Sequence, residues 1–486
     1  MLAALTQLGF GQSPWKFIVT CDSRGSSGGI NSVILSELAA EIVSQNVDFI
    51  LFPGDLVNGI GCTPSQFEGQ LRNWLETMKP VYDANIAVYV CRGNHELGDV
   101  WSHYPDPGTE PDPNDNFSHR WLNVFGSDSE PNQKMPDNGP AGEEYMTYSV
   151  IHKNAFIVSL DQYAGTRHDF AHKVNQTWLD AQLAENTKAH IFITGHEPAF
   201  RAHHNDCLDY FPANRDLFWA SLRNARARVY LTGHDHFYDH ARVDEGDGDP
   251  NNDIHQYIIG TAGAPLYTWS PPYDGNNSYY TVEQVHYAKR YGYVVVEVND
   301  LEVTLTWTER HTNDLGVAGM YQAQEVWNYT TVPRPIVLSP NGSEQIAATS
   351  TYNITWKTLE GAEIDNIKIE YSTDNGQNWD DVNTVPNSGS YKWSPVPEAD
   401  SNQCLVRISD LIDPNIGDVS DDVFTIYQCR QQLDGDFNND CYIDLLDIAI
   451  IAQWWLQDFD FSDFAVPSQN WLKCGNPLDP SCDVLQ

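Results

Sequence analysis

Residues 49–59 read FILFPGDLVNG: an unbroken apolar run, a Pro-Gly break, then an aspartate. Such a run, without polar alternation, marks a short strand buried on both faces. The same arrangement recurs on either side. FIVT at 17–20 leads into CDSRG, VYVC at 88–91 into RGNHE, IFIT at 191–194 into GHEP, and VYLT at 229–232 into GHDH, while FIVSL at 156–160 is a further strand of this kind. Between the first two runs, Ile34, Leu38 and Ile42 recur every fourth residue and mark an amphipathic helix. Strands alternating with helices from Lys16 to about Glu309 read as an α/β domain. The stretch YGYVVVEVNDLEVTLTWTER, 291–310, reads as a hairpin turning at Asn299 and Asp300 that closes it. Residues 101–142, rich in Pro, Asp, Asn and Gly, read as a long functional loop that selects substrate.

Each polar sequel to an apolar run supplies metal-seeking side chains: Asp22, Asp55, Asn94 with His95, His196, and His234 with His236. Loops at the carboxyl ends of strands in an α/β sheet converge on one edge, where ligands bind. Carboxylate and amide oxygens mixed with imidazoles suit Mn, Fe or Zn better than Ca. Gly54, Gly93, Gly195 and Gly233 each precede one of these residues and are expected to permit sharp turns there. A lone histidine in such a list reads as a core or loop residue, and His203, His204 and His240, off the pattern, are read that way.

The ordered set D-x-x, G-D, G-N-H-E, G-H-x-P, G-H-x-H resembles the calcineurin-like metallophosphoesterases over roughly residues 16–310. The resemblance implies a four-layer α/β/β/α sandwich over a domain spanning 15–330, binding one or two divalent ions. Asp55 would bridge them, one ion also held by Asp22 and His236, the other by Asn94, His196 and His234. His95 would be the catalytic imidazole, protonating the leaving oxygen as a metal-bridging hydroxide attacks, with Glu96 orienting it. Arg92, placed as in phosphoprotein phosphatases, either grips phosphate oxygens or pairs with a neighbouring acid. The first motif departs from the family's D-x-H: here it is Asp22, Ser23, Arg24. A guanidinium cannot ligate a cation. The first ion is therefore expected to bind weakly, to recruit Asn58 or water, or to be absent, or Arg24 itself faces the phosphate as a catalytic charge.

Beyond VWNYTTVPRP the texture changes to alternating strands with turn signals such as Asn375-Gly376. Residues 334–428 read as an all-β sandwich of immunoglobulin or fibronectin type III style acting as a spacer. Trp356, Trp379 and Trp393 read as core, with a carbohydrate-stacking platform as the alternative. At 436–447, DFNNDCYIDLLD sets Asp436, Asn438, Asp440, Asp444 and Asp447 at positions one, three, five, nine and twelve of a calcium loop, with the Tyr442 carbonyl at seven. An apolar helix, IAIIAQWWL, follows. This resembles one dockerin-type repeat, implying a small helical module over 430–486 with bound Ca and a cohesin-like or surface partner. Cys441 stands where such loops want glycine, and DFDFSDF at 458–464 is at most a remnant of a second repeat.

Twenty-seven basic side chains against 67 acidic ones leave a net charge of −40, which makes nucleic acid or an anionic membrane surface a poor general partner. Five of nine cysteines, Cys404, Cys429, Cys441, Cys474 and Cys482, fall in the last fifth of the chain, which suggests stapled modules in an extracellular or cell-surface location. Proximity suggests pairing Cys429 with Cys441 and Cys474 with Cys482. No apolar stretch reaches the roughly 20 residues of a membrane span, and the opening MLAALTQLGFGQSPW reads at best as a clipped signal peptide. The function expected is a secreted or surface phosphoesterase acting on phosphomonoesters or phosphodiesters. The alternatives are a metal-dependent phosphate or polymer receptor that has lost turnover, and an adhesion or scaffold protein carrying the enzyme as cargo.

Overall fold

A computed structural model of the chain describes residues 13–97, 117–163, 172–273, 279–312, 318–431, 433–453, 459 and 461–484. The apolar start and the first part of the 101–142 stretch lie outside the described residues. The chain divides into two compact units, Met1–Thr331 and Val332–Gln486.

The first unit contains two sheets. One runs Ala318–Thr330, Glu302–Thr312, Gly292–Asn299, Trp15–Val19, Phe49–Pro53, Ala87–Cys91 in spatial order. The other runs Thr281–Ala288, Tyr238–Asp244, Ile254–Ile259, Val229–Thr232, His190–Gly195, Ala155–Leu160, Tyr148–His152. All six apolar runs picked from the sequence are strands here, and the hairpin turns at Asp300, whose φ is +57°. A third strand, Ala318–Thr330, extends that hairpin to the sheet edge.

The strands lack alternation because both their faces are covered. Phe17, Val19, Phe49 and Leu51 meet Ile157, Phe192, Val229 and Leu231 in a core between the sheets. On the outer face of the first sheet, Ile18, Ile50 and Phe52 pack with Leu35, Leu38, Leu71 and Trp74 from helices Ser32–Gln45 and Pro64–Asp83. On the outer face of the second, Val158, Ile193 and Tyr230 meet Leu179, Phe218 and Trp219 from helices Gln176–Glu185 and Pro212–Asn224. The result is an α/β/β/α stack. Each fully buried aliphatic or aromatic side chain contributes roughly 1.5–3 kcal/mol.

Helix starts follow local chemistry. Asn31 accepts from the Ile34 amide, and Thr63 with Gln66 forms a capping box ahead of Pro64. The 101–142 stretch is not all loop: Phe117–Phe125 is a helix whose Trp121 and Phe125 enter the first outer core. The apolar spacing of Trp121, Val124 and Phe125 carries that helix, hidden in the sequence by the Pro/Asp-rich surroundings.

The second unit has a sheet of Pro335–Ser339, Tyr352–Thr358 and Ser390–Trp393 and a larger one built on Asn366–Ser372 and Ser401–Asp410. They enclose one core holding Val337, Ile354, Ile369, Val406 and Ile426. Trp356 and Trp393 lie in that core, and Trp379 is covered by the Arg407 guanidinium 4.3 Å from its ring. The helices Leu445–Gln453 and Phe461–Gln469 follow. Both expected disulfides, Cys429–Cys441 and Cys474–Cys482, are present, and Cys404 is a buried free thiol. No described helix is long and apolar enough to cross a membrane.

Candidate metal centre

Parallel pairing puts the ends of the strands at one edge. Trp15–Val19 runs parallel to Phe49–Pro53, which runs parallel to Ala87–Cys91, and His190–Gly195 runs parallel to Val229–Thr232. The segments after them therefore meet, and they bring together Asp22, Asp55, Asn94, His95, His196, His234 and His236. The loops are tied to the scaffold: buried Trp74 donates to Ser23 Oγ at 3.1 Å, and Ser23 Oγ donates to the Leu56 carbonyl at 2.7 Å.

The backbone turns differently from the expectation. Among the four preceding glycines only Gly54 has a left-handed φ, +87°, and three of the candidate ligands are themselves left-handed: Asp22 at +62°, Asp55 at +50° and His234 at +70°. Non-glycine residues hold that region at a cost, and it concentrates at functional sites. Gly93 serves by lacking a side chain: a Cβ there would lie 2.5 Å from the Asp55 nitrogen and 2.9 Å from His196 Cε1.

Asp55, Asn94, His196 and His234 form one cluster. His196 Nε2 is 3.4 Å from Asp55 Oδ1, 3.2 Å from Asn94 Oδ1 and 3.3 Å from His234 Nδ1. His196 Nδ1 is 2.9 Å from the Pro53 carbonyl, which only accepts, so Nδ1 carries the hydrogen and Nε2 presents its lone pair. Toward Asp55 Oδ1 and Asn94 Oδ1, lone pair thus faces lone pair. Ligands bound at about 2.1 Å in tetrahedral to octahedral geometry stand about 3.0–3.4 Å apart, so this donor set fits a divalent ion.

Around the first expected ion position, His236 Nε2 is 3.4 Å from Asp22 Oδ1, and Asp22 Oδ2 accepts from the His234 amide at 3.1 Å. Arg24 enters this group, its Nε 3.4 Å from Asp55 Oδ2 and one terminal nitrogen 3.3 Å from His236 Nε2. Asp22, Asp55 and His196 present ligand atoms within 4.8 Å of one another, all buried.

His95 packs beside the cluster. Its Nδ1 is 2.5 Å from the Asn58 carbonyl and its Nε2 3.8 Å from Asp55 Oδ2. Burial lowers its pKa, with the Asp55 charge opposing. Burial by itself would raise Asp55, yet His95, His196, Arg24 and His234 hold its carboxyl well below the usual range.

Glu96 does not orient His95. Its carboxylate accepts the amides of Asp55 at 2.9 Å, Val57 at 3.1 Å and Gly93 at 2.7 Å, which fixes two ligand loops to each other. Asn58 does not reach the centre with its amide, which donates to the Ile60 carbonyl at 3.2 Å. Of the two arrangements open for Arg92, the ion pair is the one present: Nε and a terminal nitrogen donate to Asp161 Oδ2 at 2.8 and 2.5 Å, and the other terminal nitrogen to Ser118 Oγ at 2.8 Å.

Three neighbours have no signature in the sequence. The Tyr267 ring stacks on His236 at 4.4 Å, the Asp206 carboxylate lies 3.6 Å from His234 Nε2, and the His204 ring sits 4.6 Å from that of His234. Only tertiary contact identifies them. His240 lies instead in a sheet-buried chain with His255 at 2.6 Å and Glu325 at 2.5 Å.

In the C-terminal loop Asp436, Asp440 and Asp447 turn their oxygens onto loop amides. Asp447, fully buried, accepts from Phe437 at 2.7 Å and Asp444 at 2.9 Å, and Asp440 from Tyr442 at 2.9 Å. The Asn438 amide donates to Asp440 Oδ2 at 2.7 Å, and Asp444 accepts from Leu446 at 2.7 Å. Cys441 takes the left-handed conformation that glycine would, with φ +73°.

A calcineurin-like phosphoesterase family model matches residues 30–238. No curated protein sequence matches the chain. Among solved structures, a purple acid phosphatase from yellow lupin (Lupinus luteus) seeds is similar at 14% identity and a TM-score of 0.45, over 65% of this chain and 54% of that one. The chain thus spans about half the length of the lupin enzyme. Vps29 of Chaetomium thermophilum is similar at 10% identity and a TM-score of 0.29, over 65% of this chain and 98% of its own. Residues 30–238, which carry Asp55, Asn94, His196, His234 and His236, are thus similar to the calcineurin-like phosphoesterases.

Proposed function

We propose that the chain hydrolyses phosphomonoesters or phosphodiesters with a divalent Mn, Fe or Zn ion held by Asp55, Asn94, His196 and His234. The observation that carries this is the approach of the His196 Nε2 lone pair to Asp55 Oδ1 at 3.4 Å and to Asn94 Oδ1 at 3.2 Å, electron-pair donors turned toward one another as a shared cation requires. A bound ion supplies Lewis acidity toward a phosphoryl oxygen and ionises water near neutral pH.

The chain's own residues do the rest. The Asn58 carbonyl accepts from His95 Nδ1 and fixes the ring, so it is Nε2 of the imidazolium, the charged form that the Asp55 carboxylate favours, that gives a proton to the departing oxygen. Glu96 and Arg92 act as braces, one holding the ligand loops, the other tying the strand end at Cys91 to Asp161 and Ser118. The test is a panel of monoesters, diesters and nucleotides assayed with Mn, Zn, Fe and Ca in turn. Turnover with at least one transition ion is expected. Metal binding without turnover of any ester would sink the proposal in favour of a phosphate receptor.

The oxygens of Asp436, Asn438, Asp440, Asp444 and Asp447 and the Tyr442 carbonyl are further proposed to bind Ca. The sandwich and tail would then tether the enzyme outside the cell or to a cohesin-like partner. Supporting this, burial and the neighbouring carboxylates push Asp436 up to about 6, a repulsion that a divalent ion relieves. The two disulfides favour an oxidising location. Calcium should raise the melting temperature of the wild type and not of Asp447→Ala. Identical melting with calcium and with a chelator would refute it.

A further inference from the structure

We propose that this enzyme holds one divalent ion rather than two, and that the Arg24 guanidinium stands in the first cation position as a built-in second positive charge facing the phosphate. The inference rests on the phosphoesterase reading and adds to it the number of ions.

The two halves of the centre differ in where their lone pairs go. In the His196 half, the Nε2 lone pair of His196 faces the Asp55 and Asn94 oxygens, both acceptors, with no hydrogen between them. In the His236 half, Nδ1 lies 2.9 Å from the Pro265 carbonyl and so carries the hydrogen, which leaves Nε2 as an acceptor. The Arg24 nitrogen 3.3 Å away takes that lone pair, the one a first ion would need. Arg24 Nε, 3.4 Å from Asp55 Oδ2, also faces the oxygen that would bridge to that ion.

The guanidinium is held there. Its terminal nitrogen donates to the Tyr267 hydroxyl at 3.3 Å, the Tyr267 ring stacks on His236, and the Tyr267 amide donates to the His236 carbonyl at 3.0 Å. Asp22 and Asp55 are at most 1% exposed, and two such carboxylates so close require compensating charge. One guanidinium with one divalent ion outweighs them and leaves positive charge for a phosphate. A guanidinium fork also matches phosphate oxygens in two directions.

The test is manganese loading of the full chain, with calcium present to fill oxygen-only loops, read by metal analysis and electron paramagnetic resonance. The wild type should hold one manganese with an uncoupled six-line spectrum. Arg24→His, which restores the D-x-H pattern, should hold two with an exchange-coupled spectrum. Arg24→Ala should retain the ion of the His196 half and lose affinity for inorganic phosphate by roughly tenfold or more.

Two exchange-coupled ions in the wild type would overturn the inference and leave the proposed function standing, whereas no bound manganese would overturn both. One ion in the wild type and in both variants would show that Arg24 is not what fills the position. Should Arg24→His fail to fold, Arg24→Ala decides: unchanged phosphate inhibition would overturn the role given to the guanidinium.

Discussion

Replacing Gly93 by alanine tests the geometry of the centre without removing any ligand. The position does not need a left-handed backbone, so alanine costs nothing in φ, and its whole effect is the added methyl. That Cβ would lie 2.5 Å from the Asp55 nitrogen and 2.9 Å from His196 Cε1, with the Asp55 carboxylate closer still. An ordinary carbon contact is about 3.5 Å, so Asp55 or the 93–96 loop must move by about 1 Å. The movement cannot be absorbed by the loop alone, because the Gly93 and Asp55 amides share the same Glu96 oxygen at 2.7 and 2.9 Å. Metal ligands tolerate about 0.2 Å of misplacement, and a 1 Å shift at a reacting centre costs on the order of 100-fold. Turnover of an activated aryl phosphate should therefore fall about 100-fold or more, with weaker retention of manganese or zinc on dialysis, while the circular dichroism spectrum stays that of the wild type. A folded Gly93→Ala enzyme with kcat within about threefold and unchanged metal affinity would refute the assignment of Asp55 and His196 to one ion.

His95→Ala should lower kcat roughly 100-fold or more for esters with poor leaving groups and less for aryl phosphates, whose leaving oxygen needs no proton. An equal loss across leaving groups would remove His95 from that role. Asp239 is pushed up to about 7 by burial, against hydrogen bonds from Tyr273 at 2.6 Å and Gln284 at 2.7 Å. Between about pH 4 and 7 the folded state holds this proton and the unfolded state does not, so this group makes stability fall as pH rises through that window, by at most about 4 kcal/mol. Urea denaturation of Asp239→Asn should show that slope removed, and an unchanged difference between pH 5 and pH 8 would count against it. Truncation after Thr331 should leave turnover within about threefold, because the first unit has its own three cores. Loss of activity in a folded truncation would assign the C-terminal unit a part in catalysis.

The candidate ligands were legible because their chemistry is local. A strand buried on both faces must read as an apolar run, and a ligand at its end must follow within a few residues, so Asp22, Asp55, Asn94, His196, His234 and His236 stand out without coordinates. Glu96 was misread for the opposite reason. Next to His95 in the chain, it turns its carboxylate away onto three amides, two of them some 40 residues earlier, a choice made by which buried N–H groups lack partners. Arg92 was ambiguous until Asp161 and Ser118 were seen beside it.

The sequence by itself determined the strand ends, the residues that can bind a cation, and the anomaly of an arginine at position 24, since each depends on a side chain's own chemistry and its distance along the chain. Tertiary structure alone decided which of those groups meet. Tyr267 on Arg24, Asp206 beside His234 and the helix Phe117–Phe125 under the site are products of sheet pairing and core packing between segments far apart in the chain. No spacing rule along a polypeptide encodes a contact that exists only after two sheets have closed on one another.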